Sequence, residues 1–248
     1  IRPLVQDSWR RSLASLVGAE ALPPLELTEA ELEAYRSAHP LAGAMDMIRA
    51  LLLPESDAGV VVAVGDAAGR LLWVEGDRGI RRLTSDMGFV AGANWSEQAV
   101  GTSAPGTALT LDRSVQIHGA EHFNRLVAPW SCTAAPVHDP ETRRVLGVID
   151  VTGGREVAAP FALAAVRSVV AVVERELKAR AVDLSVASTF EAGARARLTV
   201  LADNSYRWQR GGNAANGRSL SRRHAEILLL LQHYPEGLNT EQLALMLA

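Results

Sequence analysis

The sequence has little of what several functions require. It contains one cysteine, Cys132, which excludes an intrachain disulfide framework and a metal site built from cysteine alone. Lysine occurs once, at Lys178, and there is no Gly-x-x-x-x-Gly-Lys-Ser/Thr phosphate loop, so a P-loop ATPase is excluded. No apolar run reaches membrane-spanning length, and the first residues are not built like a signal peptide, which predicts a soluble, cytoplasmic protein with no membrane partner. Positive charge is not in excess: 25 Lys and Arg stand against 28 Asp and Glu, a net of −3. Any binding to nucleic acid must therefore be local. No nucleophile, base and orienting acid fall at a recognisable spacing, and there is no His-Glu-x-x-His. The expectation is a protein that is not an enzyme, with no catalytic residues, no cofactor and no metal.

What is present is a chain of 248 residues, 48% hydrophobic and 21% charged, enough for one large domain or one domain plus a smaller partner. It opens at Ile1 without a methionine and stops at Ala248 inside a helical pattern, and so reads as a piece of a longer product. Helical character dominates the start. Trp9, Leu13, Leu16 and Val17 recur at spacings of three and four over Gln6–Val17, and Thr28 with Glu31 has the spacing of a capping box. His39-Pro40 interrupts before a third helix over Leu41–Leu53. Two hairpins follow, Val60–Val64 with Arg70–Val74 and Thr133–Val137 with Arg143–Val151, with one more strand over Ser114–Ile117. Phe161–Ala181 predicts a long helix with a stripe of Val166, Val169, Val170, Val173 and Leu177. Beyond it, Arg197–Leu201 reads as a strand, Gly211–Gly217 as a loop, and Arg222–His233 as a helix capped by Ser221. A turn at Pro235-Glu236-Gly237 leads to a further helix from Asn239.

Six stretches occur in a fixed order: Ser8-Trp9-Arg10-Arg11-Ser12, Asn94-Trp95-Ser96-Glu97, Gly101 to Leu109, Gly119-Ala120-Glu121-His122-Phe123, Trp130 to Pro136, and Gly147 to Gly153. Together they resemble the N-terminal sensory region of bacterial transcriptional activators of the acetoin-catabolism regulator type, whose core is a GAF domain. The resemblance covers roughly residues 1–180. It implies an α+β fold, a central antiparallel sheet flanked by helices, with an N-terminal helical extension at 1–55 and the GAF sensor at 56–185. A linker with a basic stretch would occupy 186–219, and a truncated, winged-helix-like module 220–248. Family members commonly carry Asn-Ala-Ile where this chain has Ser103-Ala104-Pro105. They also continue into an ATPase, whereas this tail looks like the actinobacterial variant in which a short helical module takes its place.

The resemblance implies a small-molecule pocket between the sheet and the segment Met87–Leu109. Phe89, Trp95, Gly101, Thr102, Gly106 and Thr107 are the candidates there, with His122, Cys132 and Asp150 on the neighbouring strands and loops. Each has a plainer reading: turn glycines, a core-filling Trp95, a capping or buried polar contact for Glu121 and His122, an inert buried Cys132, and an Asp150 that accepts loop hydrogen bonds. From Asn204 to Ala225 there are Arg207, Arg210, Arg218, Arg222 and Arg223 and no acid, with Tyr206 and Trp208 interleaved. That composition suits phosphate contacts, or else a solvated linker. The reading is an effector-responsive DNA-binding regulator acting as a homodimer, with the long helix as a dimerisation element or as cover for its own sheet. The alternative is a non-enzymatic adaptor whose C-terminal module binds a protein partner.

Overall fold

The computed structural model describes residues 1–53, 59–189, 196–200, 206–210, 218–220 and 222–233, with single positions at 242 and 246. The chain forms two compact units, Ile1–Lys178 and Ala179–Ala248.

In the first unit, helices α1 (Pro3–Ala14), α2 (Glu29–Ala38) and α3 (Met45–Leu52) precede strands β1 (Val60–Asp66) and β2 (Leu71–Gly76). Helices α4 (Arg78–Ser85), α5 (Glu97–Val100) and α6 (Ala104–Leu111) follow. Strands β3 (Val115–His118), β4 (Ser131–His138) and β5 (Val145–Gly153) then lead into α7 (Pro160–Thr189). The five strands form one antiparallel sheet in the order β2-β1-β5-β4-β3. Both hairpins, the extra strand and the Thr28–Glu31 capping box lie where the sequence pattern puts them. The third helix starts later than its pattern, because Pro40–Ala44 winds as a tighter 3-10 turn after His39.

Both faces of this sheet are covered. Val62, Val64, Ala135, Val137 and Ile149 pack against Leu41, Met45, Ile48 and the α7 valines Val166, Val169, Val170 and Val173. The valine stripe of α7 thus covers its own sheet. On the opposite face, Val61 and Ala63 meet Met87, Phe89, Trp95 and Val100. There too, Cys132, Ala134 and Val148 meet Val5, Ala104 and Ala108. The near-continuous apolar runs of β1, β4 and β5 are the trace of burial on two sides, where a half-solvated sheet would alternate.

Helix α1 departs from the sequence expectation. Leu13 and Leu16, at 64% and 91% exposure, face solvent, while Val5, Ser8 and Ser12 are the buried positions. Ser8 turns inward because an acceptor waits there: its hydroxyl donates to Glu97 Oε2 at 2.8 Å. Arg11, one turn on, clasps both carboxylate oxygens of Glu97, with Nη2–Oε2 at 3.1 Å. Trp9 Nε1–H donates to the Glu121 carbonyl at 2.8 Å.

A second cluster joins the other face. His138, at the end of β4, has Nε2 at 2.7 Å from Asp112 Oδ1 and Nδ1 at 3.0 Å from Glu174 Oε1. Its backbone N–H also donates to Glu174, at 2.9 Å. One ring thereby ties the C-cap of α6, the end of β4 and the middle of α7.

In the second unit, β6 (Ala196–Val200), β7 (Tyr206–Arg210) and β8 (Arg218–Leu220) form an antiparallel sheet in that order, followed by α8 (Arg222–His233). The strand near Arg197–Leu201 and the helix Arg222–His233 match the sequence pattern. The basic stretch contributes two strands, β7 and β8, that it did not announce. Arginines and small polar residues mask the alternation of such short segments. The Gly211–Gly217 loop, the Ser221 cap, the turn at Pro235 and the helix from Asn239 fall outside the described residues.

Replacing Glu97 by Ala leaves the Ser8 and Thr107 hydroxyls and the Arg11 guanidinium without their acceptor. The expected loss is on the order of 3 kcal/mol in urea unfolding. Leu13→Ser, on the exposed side of the same helix, is expected to change stability by less than about 0.5 kcal/mol. Equal losses in the two variants would contradict the assignment of the buried face.

Candidate ligand site beneath helices α5 and α6

Helices α5 and α6 lie against the sheet because their residues are small and their ends are capped. Ser103 Oγ accepts from Gly106 N–H at 3.2 Å, and a proline stands in the first turn of α6, where its missing N–H costs nothing. Ser103-Ala104-Pro105 therefore starts a helix competently, and Ser serves as an N-cap as Asn would. A Cβ on Gly106 would come within 2.6 Å of Trp95 O and Glu97 N, so only glycine lets the helix press onto that loop. Gly101, at φ +74°, has the Phe123 ring 2.7 Å from where its Cβ would be.

Thr102 and Thr107 belong to the Glu97 cluster. Thr107 Oγ1–H donates to Glu97 Oε2 at 3.0 Å. Ser8 gives its one proton to Glu97, so Thr102 is the donor in their 2.7 Å contact. Ser8, Arg11 and Glu97 were not among the candidates from sequence. The signal was their place inside the first two ordered stretches, which the structure brings together. Phe89 and Trp95 stack edge to face with centroids 4.8 Å apart, and Trp95 Nε1–H donates to Gly88 O at 3.1 Å. Both rings are buried in the core.

Two candidates, Cys132 and Asp150, lie together on the sheet face below, joined by Thr152. Cys132 of β4 stands opposite Thr152 of β5, and Asp150 lies two residues from Thr152, between Ala134 and Ala63. Thr152 Oγ1 is 2.7 Å from Asp150 Oδ2 and 3.1 Å from Cys132 Sγ. Asp150 is fully buried, and its Oδ1 has no hydrogen-bond partner. Desolvation raises its carboxyl to about 7, against a smaller lowering by the Thr152 hydroxyl. Burial, and then the nearby Asp150 charge, push the Cys132 thiol well up, which makes it a poor nucleophile.

His122 is also buried. Its Nδ1 lies 2.8 Å from Gly119 O, which can only accept, so Nδ1 carries the proton and Nε2 is an unpaired acceptor. Desolvation lowers it to about 4. Glu121 is engaged by Arg2 and by the His118 N–H, which gives it the capping role. Among the described residues, no group of three or more His, Cys, Asp or Glu is placed to hold a metal ion.

The arginine candidates belong to the second unit. In the strand register Arg207 stands opposite Thr199 and Ser219, Arg210 opposite Ala196, and Arg218 opposite Trp208. Arg222 begins α8, and Arg223 is exposed with Glu226 at 3.9 Å.

Asp150 and His122 pull stability in opposite directions with pH. Between about 4 and 7 the folded chain keeps a proton on Asp150 that the unfolded chain releases, so stability falls as pH rises through that window. For His122 the unfolded chain gains a proton from 6.5 down to about 4 that the folded chain refuses, so stability falls as pH drops there. Near pH 7 the falling slope from Asp150 is opposed by His122 and His39, whose unfolded forms are still partly protonated while burial keeps the folded imidazoles neutral. Asp150→Asn is expected to make the slope of urea stability against pH more positive from pH 6.5 to 7.5, and an unchanged slope would count against the assignment. Cys132 is expected to resist a thiol reagent such as DTNB in the folded protein and to react fully once unfolded.

The family model described as MimR, N-terminal domain, matches residues 4–175. An uncharacterized 47.3 kDa protein in the thcA 5' region of Rhodococcus erythropolis is 46% identical over 249 residues, covering all of this chain and 56% of that protein. The acetoin dehydrogenase operon transcriptional activator AcoR of Bacillus subtilis is 32% identical over 209 residues, 81% of this chain and 33% of its own length. The propane 2-monooxygenase operon transcriptional activator MimR of Mycolicibacterium goodii is 28% identical over 181 residues, 72% of this chain and 30% of its own. The chain thus spans about half the length of the first of these relatives and about a third of the activators. Among solved structures, the E. coli DhaR(N)–DhaL complex matches with a TM-score of 0.59 at 17% identity, covering 92% of this chain and 77% of the matched one, a likeness of fold. With the family model matching residues 4–175 of its 248 residues, this chain belongs to the MimR N-terminal domain family, and its named relatives are transcriptional activators of catabolic operons.

Proposed function

We propose that this chain is the sensory part of a transcriptional regulator of the GAF type, which binds a small effector on the sheet face beneath α5 and α6. The arginines of its second unit would contact DNA, and the regulator would act as a dimer. The observation that carries the sensing role is Asp150: a wholly buried carboxyl with one oxygen left unpaired, on the face that α5 and α6 close. Leaving such a group unsatisfied costs on the order of 1–3 kcal/mol, which a bound donor would recover. Membership in a family of named transcriptional activators supports the regulatory role. The effector acts by preferring one arrangement of the protein, and its leverage is limited to that difference in affinity.

The test is salt-dependent binding of the full-length gene product to its own upstream DNA and to a scrambled control. Preference for the upstream DNA is expected, with a log–log salt slope of about −9 for the dimer if all five arginines of each subunit meet phosphates. The double variant Arg207→Ala, Arg210→Ala is expected to reduce that slope by about 4, two contacts per subunit. Weak binding that is equal for both DNAs would overturn the DNA-binding reading.

A protein partner is the second reading. DhaR(N), similar in fold, is seen in complex with DhaL. In this chain α4 offers exposed Arg78, Arg81 and Arg82 beside a 57% exposed Leu83. That composition favours an acidic protein surface.

A further inference from the structure

We infer that the outer edge of β2 at Val74 is a docking site for an extended segment of a partner protein. The segment pairs with the strand and seats one uncharged side chain between α2, α3 and β2. The groove lies on the α2–α3 side of the sheet, away from α5 and α6, and depends on neither the sensing nor the DNA-binding reading.

The backbone of β2 carries the first observation. In an antiparallel ladder, bonded pairs recur at every second residue. Asp77 N–H donates to Val60 O at 3.0 Å, so along the register Glu75 with Val62 and Trp73 with Val64 are the bonded pairs. The N–H and C=O of Val74 therefore point away from β1. Nearer the hairpin turn that outer side is covered. Gly92 N–H donates to Leu71 O at 2.7 Å, Leu71 N–H donates to Ala93 O at 2.9 Å, and Arg36 Nε–H donates to Leu72 O. At the opposite edge of the sheet, Arg2 Nη2–H donates to Gln116 O of β3 at 2.6 Å. Among the described residues nothing bonds the outward groups of Val74. A bare strand edge is a template for one more strand, and an extended backbone is the group that satisfies its donor and acceptor together.

Beside Val74 lies a groove of about 400 Å³, walled by Arg36, Met45, Arg49, Trp73 and Glu75. Its charges are already matched. Arg49 holds both Glu75 oxygens, at 2.8 and 2.9 Å, and Asp46 at 2.8 Å. Arg36 lies 5.9 Å from the Trp73 ring centroid, with Glu33 at 3.8 Å. A charged side chain entering the groove finds no free counter-charge, so an uncharged one is preferred. An added strand alternates its side chains across the sheet, so one enters the groove while its two neighbours project to the other side. A second copy of the chain fits less well. Its own β2 edge lies along the same groove, and two grooves do not fill each other, whereas a single segment fills one.

The test uses the full-length protein and fluorescein-labelled heptapeptides of alternating Thr and Val, read by fluorescence anisotropy. The central Val is replaced in turn by Leu, Phe, Glu and Arg. Saturable binding is expected of the peptides with Val, Leu or Phe at the centre, and none of those with Glu or Arg. Methylating the backbone nitrogens of a bound peptide removes its donors and leaves the protein untouched. It is expected to weaken binding roughly tenfold or more. Val74→Pro removes the outward N–H at an edge position where proline is tolerated, and is expected to do the same. Its far-UV spectrum and cooperative unfolding check that it folds, and the methylated peptide decides if it does not. Binding that survives peptide methylation would overturn edge pairing. Binding of the Glu or Arg peptides alone would overturn the uncharged class. A dimer that Val74→Pro dissociates, with no peptide bound, would replace the partner segment with a second copy. No binding by any peptide would overturn the inference.

Discussion

A carboxylate buried to 3% exposure has to be met by donors, and the way Glu97 is met organises one whole side of the first unit. Its partners come from two helices, Ser8 and Arg11 on α1 and Thr107 on α6, with Thr102 joined through Ser8. None of these side chains is apolar, yet they fix where α1 lies, how α5 meets α6, and how closely α6 can approach the sheet. Gly106 is the steric counterpart, since only an absent side chain lets the helix come near enough for Thr107 to reach. The ordered stretches Ser8–Ser12, Asn94–Glu97 and Gly101–Leu109 are three strands of one contact.

The same face holds a second buried carboxyl in the opposite condition. Glu97 has both oxygens engaged by formal charge and hydroxyls, whereas Asp150 has one hydroxyl and one open oxygen. The first arrangement joins α1 to α5 and α6 and contributes to holding the fold. The second disfavours ionisation and leaves one buried oxygen unsatisfied, a cost the fold carries. Separation of the two roles follows from position: Glu97 lies at a helix start within reach of α1, and Asp150 sits mid-strand between two alanines.

Much of the architecture could be read in the sequence, because periodicity and turn chemistry carry it. The two hairpins, Thr28 with Glu31 and the valines of α7 are local patterns, and each is found as read. Helix α1 departs from its pattern because the rule equates buried with apolar, while its inner face carries Ser8 and Ser12 beside Val5, and Leu13, with Leu16 just past the helix, faces water. The partner that draws the serines inward lies 89 residues away, outside any window. The site was legible only in part. Asp150 and Cys132 are candidates in the sequence, but their grouping around Thr152 depends on strand register, and the tautomer of His122 depends on the Gly119 carbonyl. Thr152 and Glu97, which decide what Asp150 and Thr107 do, became visible through the fold.

Helix α1 also has a place in time. It leaves the ribosome well before Glu97, and at 5–20 residues per second the 89-residue separation from Ser8 amounts to roughly 5–20 s. During that interval both sides of the helix meet water or whatever else is near, the serine side for want of an acceptor and the leucine side by design. Docking has to wait for α5 and α6, so α1 closes over a sheet face whose floor is built by later segments. Helix α1 is thus made before α5 and α6 yet seated only after them, and the face it helps to cover stays open through that interval.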